Sequence, residues 1–338
     1  MIDDPAALIM LLESPSDSFS TATRVFIEGL GTGAVFFMLA VGLTLIFGLM
    51  GVLNFAHGAW GMLGAYLGGM IMVLAIAGWM GPITVVIIFF ATMAVVFAVL
   101  TALGAAMEVK LMRPIYDRTP MYQIILTFGI ALIFEELVSI ATTWHPDLHP
   151  QVRWEAAMAT LPDFLDGSST VFGASIRNLF FFEIALGVAL IMLVYLFLTR
   201  TLYGLYIRAG SEDPEMVQAL GIDVRQAFTV VFGVGMGLAA LGGVLLMWDP
   251  LWGPTVHLNI DILLYAFVVV IIGGLGSFKG TVVAAFIVGM GDSIATYLFQ
   301  AQIIEHSGLP EITVFGLLVL MLIIRPQGIF GVEEVGGH

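Results

Sequence analysis

The sequence predicts an all-α polytopic membrane protein of about nine transmembrane helices, some discontinuous, with weak internal repeat symmetry. Three observations predict it. Of 338 residues, 60% are hydrophobic and 11% charged, and the mean hydropathy is +1.05, a balance foreign to water-soluble domains. A spanning helix needs about 20 mostly apolar residues, and apolar runs of that order follow one another from Val25 to Ile324. Glycine, at 39 residues, is abundant in the way expected where helices approach closely inside lipid.

Taken in order with their breakers, the expected spans are Val25 to Met50, Asn54 to Ala77, Pro82 to Met107, Pro120 to Thr143, Asn178 to Thr199, Ala227 to Met247, Leu258 to Gly276, Thr281 to Phe299 and Pro310 to Ile324. Thr119-Pro120 offers a side-chain cap followed by a proline whose missing N–H costs nothing in a first turn, and Leu309-Pro310 repeats the proline half of that device. Arg325-Pro326 closes the last span.

Lysine and arginine orient the set, because short loops rich in them stay cytoplasmic. If every span crosses once, Lys110, Arg113, Arg118, Arg200, Arg208, Arg225, Lys279 and Arg325 share one side, and only Arg24, Arg153 and Arg177 the other. This predicts an inner-membrane protein with its N-terminus outside and its C-terminus cytoplasmic. Residues 1–24 form an acidic extracytoplasmic tail carrying Asp3, Asp4, Glu13 and Asp17, expected to be retained because no positive n-region marks a signal peptide. Residues 25–331 form the transmembrane domain, with a cytoplasmic loop at 200–225, and 332–338 a cytoplasmic tail. The outer segment Trp144 to Arg177 is either a contact for a solute-delivery protein or an ordinary connection.

The absent chemistry narrows the function. Cysteine is missing, which excludes disulfides and thiolates. The sequence shows no metal cluster, nucleophile triad or phosphate loop of the G-x-x-x-x-G-K-[ST] kind, so no enzyme, cofactor or metal site is expected. A net charge of −14 argues against nucleic acid.

Glycines and a polar pair interrupt the apolar field between the first two spans, at Gly48, Gly51, Asn54, Phe55, His57, Gly58 and Trp60. Non-helical backbone at membrane depth is tolerated only where protein or a water-filled cavity satisfies it, and a helix starting near Asn54 would present N–H groups to a solute carboxylate. The other reading is a tight turn in which Asn54 caps the next helix and His57 bonds a neighbouring one. Gly273, Gly274, Gly276 and Ser277 form a comparable interruption in the second half. Intramembrane acids are Glu28, Glu135, Glu136, Glu183 and Asp292. Glu28 and Glu183 fall near expected span ends and read as interfacial. Glu135, Glu136 and Asp292 need a partner or water, because a lipid-facing charge costs at least about 2.5 kcal/mol.

In the cytoplasmic loop, Asp213 can cap a short helix with Pro214 in its first turn and Gly221 after its end, and Glu212, Asp213 and Glu215 complement its positive end. Met216, Val217, Ala219 and Leu220 then want an apolar surface: the protein's own underside, the bilayer interface or a partner groove.

Together these segments resemble the LivH-type permeases of branched-chain amino-acid ABC importers. The likeness is carried by Gly42-Leu43-Thr44-Leu45-Ile46-Phe47-Gly48 with Asn54-Phe55-Ala56-His57-Gly58, by Met62-Leu63-Gly64-Ala65-Tyr66, by Glu212-Asp213-Pro214 with Ala219-Leu220-Gly221-Ile222, by Gly273-Gly274-Leu275-Gly276-Ser277, and by Arg325-Pro326-Gln327-Gly328-Ile329-Phe330-Gly331. Ala59-Trp60 departs from the acidic and aromatic pair that often follows the His-Gly step. The resemblance implies a translocation path for branched-chain amino acids or related small polar solutes, lined near the two interruptions. It also implies an ATPase contact through Glu212, Asp213, Pro214, Met216, Val217, Leu220 and Gly221. Implied partners are a LivM-like companion permease, two ABC ATPase subunits and an external solute-binding protein, in membrane lipid. The competing expectation is a self-sufficient channel or ion-coupled carrier, which leaves the capped loop helix unexplained.

Overall fold

The first helix, α1 (Pro15–Met50), starts ten residues before the expected Val25, so residues 15–24 of the expected tail are helical. Proline suits a first helical turn, a signal hidden by the polar character of the segment. The computed structural model describes residues 15–76, 80–144, 161–212, 224–249, 252–253 and 255–331. After α1 come α2 (His57–Ala75), α3 (Pro82–Met107), a π turn (Glu108–Met112), a 3₁₀ turn (Arg113–Ile115), α4 (Pro120–Trp144) and a short α5 (Asp163–Asp166). The second half holds α6 (Asn178–Arg200), α7 (Leu202–Glu212), α8 (Val224–Leu246), α9 (Leu258–Gly273), α10 (Phe278–Gln300) and α11 (Leu309–Ile324). Added to the helices is an antiparallel hairpin, β1 (Ser168–Val171) and β2 (Ala174–Arg177), in the expected outer segment. It rests on the start of α1 through Phe172 and Phe19, 5.8 Å apart edge to face.

Seven described helices are long and apolar enough to cross a bilayer, while α9 and α11 are shorter apolar helices of 16 residues each. At 1.5 Å per residue each of these two reaches about 24 Å, less than the hydrocarbon core of about 30 Å. Nine spans is therefore an approximate count.

Helices α1 and α8 form the buried centre, and α3, α4 and α6 expose most of their apolar surface, as lipid-facing helices do. The centre is built on missing side chains. A β-carbon at Gly42 of α1 would overlap the carbonyl of Gly235 in α8, and one at Gly33 of α1 would lie 2.8 Å from the Phe286 ring of α10. Such spacing brings backbones into van der Waals contact, which drives helix association where lipid removes the hydrophobic term.

Candidate functional site

After Met50 the chain turns at Gly51, whose φ of +63° is costly for a residue with a β-carbon, and leaves the helix until Ala56. The interruption folds back to the middle of the bundle. The Asn54 amide Nδ2 reaches the sulfur of Met236 at 3.7 Å, and Met236 is near the centre of α8. His57 Nε2 donates to the Leu39 carbonyl at 2.6 Å, well inside α1. Helix α2 thus starts within the bundle, the discontinuity expected from sequence.

Within the interruption the side chains divide. Asn54 and His57 are fully buried. Asn54 Oδ1 accepts the Ala56 N–H at 3.0 Å, a local turn just ahead of α2, whose N-cap residue Ala56 carries no side-chain cap, so Asn54 does not cap α2 as the tight-turn reading had it. Gly58 lets the Asn259 carbonyl of α9 sit against its Cα, and Trp60 packs edge to face on Phe134 of α4, centroids 5.6 Å apart. Phe55 is only half buried: its N–H donates to Thr127 Oγ1 of α4 at 3.1 Å, and its ring leans on Phe267 of α9. Close to the first turn of α2, His57 Nδ1, Trp60 Nε1 and Asn259 Oδ1 are buried without a hydrogen-bond partner. Native interiors pair most such atoms, so three together mark a place where further polar groups belong.

The second interruption has a different shape. Gly274 and Gly276, with φ of +100° and +79°, make a tight turn between α9 and α10, and Ser277 Oγ caps α10 by accepting the Gly280 N–H at 3.1 Å. A β-carbon at Gly273 would strike Gly280, and one at Gly274 would lie 2.5 Å from the Gly331 nitrogen. The Ile329 and Phe330 N–H groups donate to the Ile272 and Gly273 carbonyls at 2.8 and 3.0 Å, so the Arg325 to Gly331 motif satisfies orphan carbonyls at the end of α9. The four residues Gly273, Gly274, Gly276 and Ser277 pack on backbone, and Gly276 meets Gly48 at the end of α1.

Of the acids, Glu135 and Asp292 find the partner or polar cavity expected of them, and Glu183 is more deeply buried than its place near a span end suggested. Glu183 is 4% exposed and lies against Gly31 of α1, because α6 begins beside the interior of the lengthened α1. Glu28 stands thirteen residues into α1, 3.9 Å from Arg24. Glu135 accepts from Asn259 Nδ2 at 2.9 Å, while the neighbouring Glu136 is exposed on the outer face of α4. Asp292 is 7% exposed and lines a mixed polar cavity with Glu28, Asp249 and Arg177.

One constellation was not anticipated. Glu108, fully buried in the π turn, takes a bidentate pair from Arg113 (2.9 and 3.3 Å), a bond from Tyr116 Oη at 2.9 Å and one from Thr229 Oγ1 of α8 at 2.7 Å. Burial, with the Glu108 carboxylate alongside, raises the Tyr116 phenol well above its ordinary range and keeps it a donor. The network ties the end of α3 to the first turns of α8. Its sequence signal is the Glu108 to Arg113 spacing of five, the step of a π turn. Of the loop residues, Glu212 ends α7, whose first turn is capped by Thr201 Oγ1 accepting the Gly204 N–H at 3.0 Å. Asp213, Pro214, Met216, Val217, Leu220 and Gly221 lie outside the described residues.

Among curated proteins, the chain is 28% identical over 315 residues to the high-affinity branched-chain amino acid transport system permease protein BraD of Pseudomonas aeruginosa, covering 91% of this chain and 95% of that one. It is 25% identical over 327 residues to the permease protein LivH of the corresponding Salmonella typhimurium system, covering 95% and 99%. It is 27% identical over 301 residues to a probable LivH of Methanocaldococcus jannaschii, covering 88% of each. A solved structure, PsaBC from Streptococcus pneumoniae in complex with Fab, shares 16% identity over 90% of this chain with a TM-score of 0.49, too loose a likeness to argue from. The family model described as branched-chain amino acid transport system / permease component matches residues 25–325, and the chain belongs to that family.

Proposed function

We propose that the chain is the membrane-embedded permease subunit of an ABC importer for branched-chain amino acids, with its N-terminus outside and ATP hydrolysed by separate subunits engaging the loop at 200–225. The observation that carries the path is the interruption at Gly51 to Ala56. Non-helical backbone returns to the middle of the bundle, and its neighbourhood holds three buried polar atoms without partners. In lipid such groups are costly unless a hydrated path or a solute meets them. Phe55 supplies the half-buried side chain at this place, and Asn54, His57, Gly58 and Trp60 hold the interruption in shape. Gly273, Gly274, Gly276 and Ser277 serve the path as its packed hinge at the basic end.

Glu136 supports a LivM-like companion permease. An exposed carboxylate on an otherwise apolar stretch of α4 cannot face hydrocarbon cheaply, so the outer face of α4 belongs against another permease subunit with water between them. A solute-binding protein at the acidic end completes the proposed assembly. Vesicles containing the chain with its companion subunits should accumulate labelled leucine only with ATP inside and the binding protein outside. Accumulation driven by an ion gradient alone would replace this reading with the carrier one. A reporter fused after His338 should be cytoplasmic and one placed before Asp3 external.

A further inference from the structure

The cavity around Asp292, about 250 Å³, shares no residue with the interruption at Gly51 to Trp60. It lies between α1, the start of α6, the segment after α8, and α10. Three carboxylates, Glu28, Asp249 and Asp292, line it with one guanidinium, Arg177, and Glu28 is also 3.9 Å from Arg24 just outside the cavity, so Asp292 is the carboxylate turned to an occupant. An acidic cluster alone would mean little, but two further facts point to an occupant. Asp292 is more than nine-tenths buried, opens on the cavity and makes no hydrogen bond or ion pair to a described residue. One turn further along α10, Thr296 also lines the cavity, and its Oγ1 is buried without a partner. Ser293, between them, already donates to the Val25 carbonyl at 2.9 Å and is not available. The apolar wall is firm, since the Trp252 ring is held edge-on by Phe36 and Tyr265 at 6.2 and 4.8 Å.

A bare metal cation would gain from the carboxylates but be repelled by Arg177, and a simple anion would meet three negative groups. A zwitterion with an apolar side chain suits all the walls. At about 30 Å³ per liquid water the cavity has room for about eight waters, or one amino acid of leucine's size. We infer that this cavity is an entry site for the amino-acid solute: Asp292, with Glu28 and Asp249, takes the ammonium, Arg177 the carboxylate, and Trp252 the aliphatic side chain. The site rests on the permease reading and adds to it a station within this subunit, ahead of the path at the interruption.

The test is equilibrium binding of labelled leucine to the full chain, purified in lipid discs with its companion subunits and without ATP or binding protein. Leucine should bind saturably, 3-methylbutylamine should compete, and sodium should not. Asp292→Asn should weaken both ligands at least tenfold. Arg177→Gln should weaken leucine at least tenfold and leave 3-methylbutylamine unchanged, a split that a folding defect cannot imitate. Binding unaffected by both substitutions would overturn the site, as would displacement of leucine by sodium. Absence of saturable binding in complexes that still take up leucine with ATP would overturn the site and leave the permease reading standing. Absence of both binding and ATP-driven uptake would remove the two together.

Discussion

The hydroxyls of Thr44 and Thr281 meet at 2.6 Å, both fully buried, and join the last turns of α1 to the first turn of α10. About one turn away, Gly48 and Gly276 bring the same two regions into backbone contact. Residues 237 apart in sequence thus fasten the two Gly-interrupted segments to each other. Thr281 also bonds the Ser277 carbonyl at 3.0 Å, so the hinge between α9 and α10 and the end of α1 form one unit.

Thr281→Val is expected to lower the stability of the purified complex by about 0.6–2 kcal/mol, the range for hydrogen bonds between membrane helices. Thr44→Val should cost a similar amount, and the double variant little more than either, because the bond is lost once. A four-member cycle of unfolding in mixed micelles reads this. Full additivity would mean that the two hydroxyls do not work as a pair.

The fold class was legible because lipid imposes a coarse rule, about 20 apolar residues per crossing, and the runs obey it. The interruption at Asn54 and His57 was legible too, since glycines and polar residues inside an apolar field have few other uses. The start of α1 was not: Ser16 to Arg24 is polar, and its helix is held by packing, including Phe19 on Phe172, which no periodicity displays. Glu183 misled for the related reason that closeness to a span end says nothing about which way a side chain faces. Glu108 escaped because its partners Tyr116 and Thr229 are joined to it by a π turn and by another helix.

Arg113→Gln is expected to be more damaging than Glu108→Gln. Glu108 is wholly buried, so removing Arg113 strands a carboxylate at a cost of about 3 kcal/mol, whereas Arg113 is 30% exposed and can turn to water when Glu108 is neutralised. The double variant should resemble Glu108→Gln alone. Stability of the purified complex, followed by its loss of monodispersity on heating, orders the three. Equal damage from both single changes would show that burial does not set the balance.

Phe55→Ala should lower solute uptake several-fold with an unchanged amount of assembled complex, because Phe55 is half buried at the interruption and only its backbone N–H is bonded, to Thr127. His57→Leu removes a second donor to the Leu39 carbonyl at 2.6 Å, a carbonyl that keeps its bond within α1, and the loss of such a hydrogen bond costs about 0.5–1.5 kcal/mol. Its expected signature is a lower amount of assembled complex. Uptake per assembled complex separates the two effects, and a Phe55→Ala variant that transports normally would move the path away from the interruption.

The sharpest test lies in the loop between α7 and α8. A permease without a phosphate loop of its own has to receive force through a surface stiff enough to transmit it. In the sequence, Asp213, Pro214 and Gly221 are the signals of a short helix over Glu215 to Leu220, and on the proposed reading Met216, Val217 and Leu220 would be its apolar side against a groove. The helix α8 that follows is anchored at once, because Thr229 bonds Glu108 at 2.7 Å and Arg113 reaches the Arg225 carbonyl at 3.5 Å. Displacement of the loop would therefore be handed to α8, whose centre touches Asn54 through Met236. Leu220→Asp, which puts an unpaired charge into the apolar contact, is expected to abolish solute-stimulated ATP hydrolysis or to release the ATPase subunits, while the external binding protein still docks on the opposite face. If the variant kept both full assembly and full stimulation, force would have to enter elsewhere, and the self-sufficient channel or carrier would become the better account.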